Sequence, residues 1–267
     1  MNNKIAVFGC GWLGLPLATS LQKLGYKING STTTKDKLSL LKELSIMPFL
    51  VDLNDNDFTT QLDAFLSNVD ILIINIPPRM KTGDASSYLA KMKIVHKQCK
   101  ITNVKKVIFV SSTSVYGNLN GDITEKTTPK PQTSAAKQLV AIEQLFLNDS
   151  SLKATIIRFG GLIGNGRHPI YHLVKKNEVT NGNYPINLID ITDCISIIEL
   201  IIEKNYWNEI FNAVYPNYPS KEEYYTQIAH NKGLKPPVFT SDESNSGKKV
   251  ISYNLIFVKF YNFVTSV

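Results

Sequence analysis

The chain of 267 residues is 43% hydrophobic and carries a formal net charge of +7, so it can fill the core of one domain of ordinary size with a modest addition. No stretch is long and apolar enough to span a bilayer, the amino terminus lacks a signal-peptide pattern, and three cysteines show no metal-ligand spacing, which together predict a cytoplasmic protein without a metal site. The basic side chains are scattered lysines rather than dense blocks, which argues against nucleic acid as a partner.

The first predicted elements are a strand, a glycine-rich turn and a helix. The apolar run Ile5–Phe8 leads into Gly9-x-Gly11-x-x-Gly14, and leucines at helical spacing follow. Gly9 permits a tight turn, Gly11 lets the main chain approach a pyrophosphate, and Gly14 allows the helix to pack closely on the strand. A tight turn without a ligand is the alternative. The pattern favours a dinucleotide site formed by Gly9, Gly11, Trp12, Leu13 and Gly14.

Strands and helices alternate through the first 160 residues. The predicted strands are Ile5–Phe8, Lys27–Ser31, Phe49–Asp52, Ile71–Ile76, Lys106–Ser111 and Thr155–Phe159, and the predicted helices lie near Leu15–Leu24, Lys35–Glu43, Phe58–Leu66, Ser86–Lys100 and Ser134–Leu147. Continuously apolar strands are typical of a parallel sheet that is covered on both faces. The alternation predicts that residues 1–160 form a doubly wound α/β sheet, the Rossmann domain that binds NAD(P).

Glycine and proline interrupt this alternation after residue 160. A helix at Asp193–Glu203, a strand at Glu209–Val214 and a helix at Lys221–Asn231 are predicted there, with a loop at Lys235–Lys249. Residues 250–267 carry no pattern that assigns an element. We predict that residues 161–267 form mainly a small C-terminal substrate lobe, with some segments returning to the sheet.

The second strand ends in hydroxyl and lysine side chains, where a NAD-specific site would carry a carboxylate. A carboxylate would repel the 2′-phosphate of NADP, whereas hydroxyls and an ammonium can hold it. The sequence therefore favours NADP(H), with NAD(H) possible, and the candidate contacts are Ser31, Thr32, Thr33 and Lys35. The same threonines could also cap the next helix.

Two further strand ends supply candidate cofactor contacts. Asp52 ends the third predicted strand and is expected near the adenine, while Asn75 and Pro77 lie at the end of the fourth, beside the expected cofactor path. Parallel sheets of this kind bind ligands at the carboxyl ends of their strands. Asp52 and Asn75 could equally be loop caps.

A serine-rich segment follows the fifth strand and ends in Val115-Tyr116-Gly117. With the glycine motif, it resembles the extended and atypical short-chain dehydrogenase/reductase superfamily, which includes the NAD(P)-dependent epimerase/dehydratase family. Residues 158–167 and 187–193 resemble further segments of that family, and the small YeeZ-like members with a short C-terminal lobe are the most similar subgroup. The resemblance implies that Ser112, with Thr113 next in line, hydrogen-bonds the substrate oxygen.

The chain departs from the superfamily at its tyrosine-x-x-x-lysine pair. Lys137 is present, and the resemblance implies that it positions the nicotinamide ribose, but Thr133 replaces the tyrosine. An aliphatic hydroxyl titrates far outside the range of a useful acid or base. Tyr116 could supply the proton instead, substrate or water could carry it, or the protein could bind NADP(H) without turnover.

These observations predict an NADP(H)-dependent oxidoreductase or epimerase of a small carbonyl, hydroxyl or sugar-like substrate. Arg167 and His168, in the glycine-rich loop over the expected pocket, are candidate substrate contacts, although an arginine there could equally pair with a surface carboxylate. The catalytic candidates are Ser112, Thr113, Lys137 and Tyr116. The alternative function is a non-catalytic NADP(H)-binding redox sensor or regulatory protein. We expect a small-molecule substrate, neither nucleic acid nor membrane as a partner, and a monomer or homodimer.

Overall fold

The computed structural model describes residues 3–55, 57–78, 86–241 and 244–267, without the side chains of Ser86 and Ser87. The first part of the chain contains β1 (Lys4–Phe8), α1 (Gly14–Lys23), β2 (Lys27–Thr32), α2 (Lys37–Glu43), β3 (Met47–Leu50), α3 (Phe58–Leu66), β4 (Ile71–Ile74), α4 (Ser86–Ile101) and β5 (Lys106–Ser112). A 3-10 turn at Thr113–Tyr116, here called the serine turn, is followed by β6 (Gly121–Ile123), α5 (Ser134–Leu147) and β7 (Lys153–Phe159). The remaining elements are β8 (Gly161–Ile163), α6 (Ile170–Leu173), β9 (Val179–Thr180), β10 (Leu188–Asp190), α7 (Ile191–Glu203), β11 (Ile210–Ala213), α8 (Lys221–Asn231), β12 (Phe239–Thr240), β13 (Lys248–Val250) and a π-helical turn at Asn254–Val258.

The central sheet has seven strands in the order β11-β7-β5-β4-β1-β2-β3. β1 pairs in parallel with β2 and with β4, so that Val7 lies opposite Gly30 on one side and Ile73 on the other. Because the strand order reverses between β1 and β4, their carboxyl ends flank the point where such sheets bind ligands. The predicted doubly wound α/β fold is confirmed.

The inner strands form because their residues are apolar on both faces. Ile5–Phe8 and Ile71–Ile74 are almost completely buried, as expected for strands with helices on both sides. In α1, Leu17 and Leu21 lie one turn apart and are both buried, so the helix packs through one apolar stripe.

Several element bounds differ from the sequence prediction. β3 is Met47–Leu50 rather than Phe49–Asp52, and β4 ends at Ile74, where the chain turns toward two prolines that lack an N–H group. The predicted loop Lys235–Lys249 contains β12 and the first residues of β13. Short strands of two or three residues are too brief to produce an alternating pattern, and for that reason the sequence did not reveal them.

The residue contacts group the chain into two compact units. The first consists of Met1–Ser111, Thr133–Ile157 and Ile195–Ile210, and the second of Ser112–Gln132, Arg158–Cys194 and Phe211–Val267. The sequence predicts a boundary at residue 160 with some later segments returning to the sheet, whereas these units already alternate from residue 112 onward. Physically, the chain leaves the first unit after β5 and returns to it more than once.

The second unit contains three two-stranded parallel sheets, which pair β8 with β10, β9 with β12, and β6 with β13. Its carboxyl-terminal segment is held by Asp193, whose carboxylate accepts hydrogen bonds from the Tyr261 hydroxyl (2.7 Å), the Val264 N–H (2.8 Å) and both donors of Thr265. In the described part of the chain, no helix has the length and apolar character needed to cross a membrane.

Candidate functional site

The glycine loop, residues Gly9–Gly14, joins β1 to α1 in the first unit. Gly9 has a φ of +104°, and a Cβ atom there would lie 2.7 Å from Ile76 Cγ2 and 2.9 Å from the Asn75 carbonyl oxygen. A Cβ on Gly14 would overlap the Gly9 carbonyl oxygen. Only glycine fits either position without a shift of main chain.

Gly11 has different surroundings from the other two glycines. A Cβ atom on Gly11 would meet no atom within 4 Å among the described residues. The protein itself therefore does not require glycine at this position. Open space beside main chain at a helix amino terminus fits the pyrophosphate of a dinucleotide. The glycine loop can therefore accommodate the predicted cofactor.

Ser31 and Asn75 hold the glycine loop in place. The Gly9 N–H donates to Ser31 Oγ (2.9 Å), the Cys10 N–H donates to the Ser31 carbonyl oxygen (2.8 Å), and Asn75 Nδ2 donates to the Gly9 carbonyl oxygen (3.3 Å). Ser31 is only 1% exposed. The structure thus assigns its side chain to supporting the loop and corrects the expectation that it contacts a 2′-phosphate, because a buried hydroxyl cannot reach one.

The residues after Ser31 differ in their exposure. Thr32 is buried, and its Oγ1 accepts a hydrogen bond from the Thr34 N–H (3.1 Å), so it stabilises the turn that follows β2. Thr33 and Lys35 are exposed. The capping residue of α2 is Asp36, whose side chain makes no capping hydrogen bond. Of the four candidates for the 2′-phosphate, Thr33 and Lys35 are the ones with accessible side chains.

Asp52 is a loop cap in the structure. Its Oδ1 accepts hydrogen bonds from the backbone and side-chain nitrogens of Asn54, both at 2.9 Å. Because β3 ends at Leu50, Asp52 lies beyond the strand end on which the adenine prediction depended. Pro77 is exposed two residues after Asn75, and it remains a predicted cofactor contact.

Ser111, in β5, faces the interior of the first unit. Its hydroxyl donates to Glu143 Oε1 at 2.6 Å, and both residues are buried. Glu143 lies on α5 among apolar residues, a position where a carboxylate needs hydrogen-bond donors. Sequence reasoning missed this pair, although a single acidic residue on the apolar face of a predicted helix was a usable signal.

In the second unit, Ser112 caps the serine turn. Its Oγ accepts a hydrogen bond from the Ser114 N–H (3.1 Å), and the side chain is half-buried. The hydroxyl proton is not needed for that contact, so Ser112 keeps a donor that it can offer to a ligand. Thr113, the next candidate, is 7% exposed and therefore less accessible.

Tyr116 is fully buried, and its hydroxyl is saturated. It receives a hydrogen bond from Arg158 Nη1 (2.8 Å) and lies within donating distance of Asn212 Oδ1 (2.8 Å) and the Thr124 carbonyl oxygen (3.1 Å). Burial raises the pKa of Tyr116, and Arg158 opposes that shift only in part. The expectation that Tyr116 could replace the missing proton donor is therefore wrong, because its hydroxyl is enclosed and already paired.

Thr133 and Lys137 lie one turn apart at the start of α5. Thr133 is the N-cap, and its Oγ1 accepts a hydrogen bond from the Ala136 N–H (3.2 Å). Lys137 is exposed one turn later, and its N–H donates to the Thr133 carbonyl oxygen (3.0 Å). Thr133 thus contributes a good cap where the superfamily has a phenol, and an aliphatic hydroxyl is not a useful acid or base in place of that phenol.

The two predicted substrate contacts differ in their environment. Arg167 is exposed at the end of a tight turn, in which its N–H and carbonyl groups pair with those of Gly164. His168 accepts a hydrogen bond from the Ile170 N–H at Nδ1 (3.2 Å), and its Nε2 lies 3.1 Å from the Tyr224 hydroxyl. Burial lowers the pKa of His168, with a contribution from Lys232. Both ring nitrogens are engaged, so His168 stabilises its own unit instead of offering a free group to a substrate.

The fold and the glycine loop define a dinucleotide-binding protein. Residues 9–198 match the family described as NAD(P)H-binding, so the chain belongs to that family and its cofactor is NAD(P). Within the described residues, no group of three histidine, cysteine, aspartate or glutamate side chains is placed to hold a metal ion.

The chain is also similar to individual proteins. The chain is 32% identical to Protein YeeZ of Escherichia coli K12, over 93% of this chain and 90% of that protein. Among solved structures, it resembles a UDP-glucose 4-epimerase from Thermotoga maritima, with a TM-score of 0.81, 17% identity, and coverage of 98% of this chain and 94% of the other. A UDP-glucuronic acid 4-epimerase from Bacillus cereus, solved in complex with NAD, gives a TM-score of 0.81 at 19% identity, covering 98% and 92% of the two chains.

Proposed function

We propose that this protein is an NADP(H)-dependent oxidoreductase or epimerase that acts on a small carbonyl, hydroxyl or sugar-like substrate. The glycine loop is the observation that carries the proposal. Gly9 and Gly14 are required by the protein's own packing, whereas the position that a Cβ atom on Gly11 would occupy is open space. A fold alone would not need glycine at all three positions, but a bound pyrophosphate would.

The preference for NADP(H) rests on the side chains after β2. Thr33 and Lys35 are exposed there and can donate to a phosphate. None of the residues from Gly30 to Lys35 is acidic. No carboxylate at these positions would therefore repel a 2′-phosphate.

The role of each residue in the chemistry follows from the resemblance. A bound nicotinamide would supply hydride to a carbonyl carbon or accept hydride from an alcohol carbon. Lys137 is exposed and offers an ammonium to the nicotinamide ribose. Ser112 donates its free proton in a hydrogen bond to the substrate oxygen, where negative charge develops. Because Tyr116 is fully buried and Thr133 carries only an aliphatic hydroxyl, the proton of the reaction comes from water or from the substrate itself.

The first experiment separates ligand contact from folding. Gly11→Val should abolish measurable NADPH binding while the melting temperature stays at the wild-type value, because the new side chain meets only the space of the ligand. Gly14→Ala is the matched comparison and should lower the melting temperature, since its Cβ overlaps main chain. Titration of NADPH fluorescence measures the affinity. Wild-type affinity in Gly11→Val would refute the nucleotide site.

A non-catalytic NADP(H) sensor is the second candidate. The burial of Tyr116 and the replacement of the usual phenol by Thr133 favour it. Both functions predict NADPH binding, so the discriminating measurement is turnover. NADPH oxidation should be followed with a panel of aldehydes, ketones and UDP-sugars. Turnover with any of them supports the enzyme, and tight binding without turnover across the panel supports the sensor.

A further inference from the structure

Lys248 makes an unusual contact with the serine turn. Its Nζ donates hydrogen bonds to the Gly117 carbonyl oxygen (2.7 Å) and to the Thr113 carbonyl oxygen (3.1 Å). Thr113 opens the serine turn and Gly117 follows its last residue. One ammonium therefore joins the two ends of the turn that Ser112 caps.

The backbone of Lys248 is fixed from two sides. β13 pairs in parallel with β6, with Lys248 opposite Gly121. Asn187 holds the same strand, since its Nδ2 donates to the Lys248 carbonyl oxygen (3.0 Å) and its Oδ1 accepts from the Val250 N–H (2.7 Å). The ammonium is thus presented from a strand whose position is set independently of the serine turn.

The serine turn has little freedom to move away from Lys248. Gly117 has a φ of +58°, and a Cβ atom there would overlap the Lys130 carbonyl oxygen. Val115 and Tyr116 are fully buried. The hydrogen bond from the Gly117 N–H to the Ser114 carbonyl oxygen (3.0 Å) closes the turn.

Because Lys248 is half-buried, its ammonium depends on its two hydrogen bonds in place of water. Burial lowers the pKa of Lys248, and the nearby Lys221 ammonium adds to the shift. A partly desolvated ammonium is stable only where acceptors replace water. The two carbonyl oxygens of the serine turn provide those acceptors, and charge-assisted hydrogen bonds of this kind are stronger than neutral ones.

We propose that Lys248 is a positioning residue that fixes the serine turn and thereby sets the direction of the Ser112 hydroxyl. Ser112 Oγ is oriented by the Ser114 N–H, and Ser114 lies between the two carbonyl groups that Lys248 holds. The expected effect on the reaction rate rests on the proposed function, whereas the expected effect on the mobility of the serine turn does not.

The experiment uses three variants of the full chain. Lys248→Met removes the ammonium and keeps most of the apolar stem. Lys248→Arg keeps a cation with several donors and serves as the conservative rescue. Lys249→Met is the matched control, because Lys249 is the next residue of β13 and pairs with Asp122 at 3.1 Å on a more exposed side chain.

Amide hydrogen exchange gives the first readout, and it does not depend on activity. In Lys248→Met, the Ser114 and Gly117 amides should exchange about tenfold faster, because the turn opens more often without the ammonium. The Ile73 amide in β4 should keep its wild-type rate, which separates local loosening from a global loss of stability. Lys248→Arg should recover most of the protection, and Lys249→Met should leave it unchanged. Wild-type exchange at Ser114 and Gly117 in Lys248→Met would overturn the proposal.

Kinetics give the second readout on any substrate that the panel identifies. Lys248→Met should lower kcat about tenfold, equivalent to about 1.4 kcal/mol of transition-state stabilisation, while the dissociation constant for NADPH stays within twofold of wild type. An unchanged kcat alongside faster exchange would overturn the positioning role. Failure of the proposed function would appear differently, as absence of turnover in the wild type.

Discussion

Ser111 and Ser112 are neighbours in the chain, yet their side chains have different partners. Ser111 donates to the buried Glu143 carboxylate, whereas Ser112 accepts from Ser114 and remains half-buried. Alternation along β5 explains this, because successive residues of a strand point to opposite sides. The two serines therefore allow structural and functional effects to be measured at adjacent positions.

Ser111→Ala should lower the free energy of unfolding by about 1–3 kcal/mol, because a buried carboxylate loses a donor. Ser112→Ala should change it by less than about 1 kcal/mol, since only a turn cap is lost. Urea unfolding measures both. For turnover the order should reverse, with Ser112→Ala showing the larger decrease in kcat. Equal stability losses would mean that Glu143 does not depend on Ser111.

Thr33→Asp tests how the cofactor is selected. A carboxylate at this exposed position should weaken NADPH binding about tenfold through repulsion of the 2′-phosphate, equivalent to about 1.4 kcal/mol. NADH affinity should not fall. Ser67→Asp adds the same charge at the amino-terminal edge of the sheet, next to Lys4, and should affect neither cofactor. Equal losses for NADPH and NADH in Thr33→Asp would place the 2′-phosphate elsewhere.

At the scale of secondary structure, the sequence predicts both ends of the helices that have a side-chain cap hydrogen bond. α5 begins after the N-cap Thr133, and α8 begins after Ser220, which forms a capping box with Glu223. Both ranges agree with the sequence prediction, because a cap fixes the first residue of a helix locally. β3 was displaced by two residues, since strand ends depend on pairing with a neighbour and not on local signals.

α7 carries the residue that anchors the end of the chain. Asp193→Asn replaces one acceptor oxygen with a donor, so two of the contacts to residues 261–265 should become unfavourable. We expect a loss of about 1–3 kcal/mol in the free energy of unfolding and faster removal of the last residues by carboxypeptidase. Glu203→Gln, at the exposed end of the same helix beside Lys204, is the control and should change neither. Wild-type digestion of Asp193→Asn would show that other contacts hold the segment.

At the scale of the whole molecule, the alternation of strands and helices predicts the α/β class, and the glycine motif predicts the dinucleotide loop. Contacts between distant residues were beyond the reach of the sequence. Glu143 pairs with Ser111 across 32 positions, and Lys248 contacts Gly117 across 131. An acidic residue on an apolar helix face indicates that Glu143 needs a partner, but which residue pairs with Glu143 or with Lys248 is decided by the tertiary fold. The predicted role of Tyr116 failed for the same reason, because its hydroxyl is paired with Arg158 and Asn212, which are distant in the sequence.

The reactivity of the three cysteine thiols measures whether the core of the protein stays closed. All are buried, and burial raises the pKa of Cys10 and Cys99 to about 12 and that of Cys194 well above its ordinary value. Since the thiolate is the reactive form, the native protein should resist iodoacetamide at neutral pH, and all three thiols should react in urea. Mass spectrometry after a brief pulse counts the modified sites. Rapid modification under native conditions would indicate frequent opening of the core.

The long separation between Lys248 and the serine turn has a consequence for biosynthesis. The glycine loop is supported by Ser31 and Asn75, which leave the ribosome early, whereas the serine turn waits for a lysine that is translated 131 residues after Gly117. Contacts of such high sequence separation form late. A nascent chain can therefore form its glycine loop well before Lys248 has been translated and the serine turn is secured.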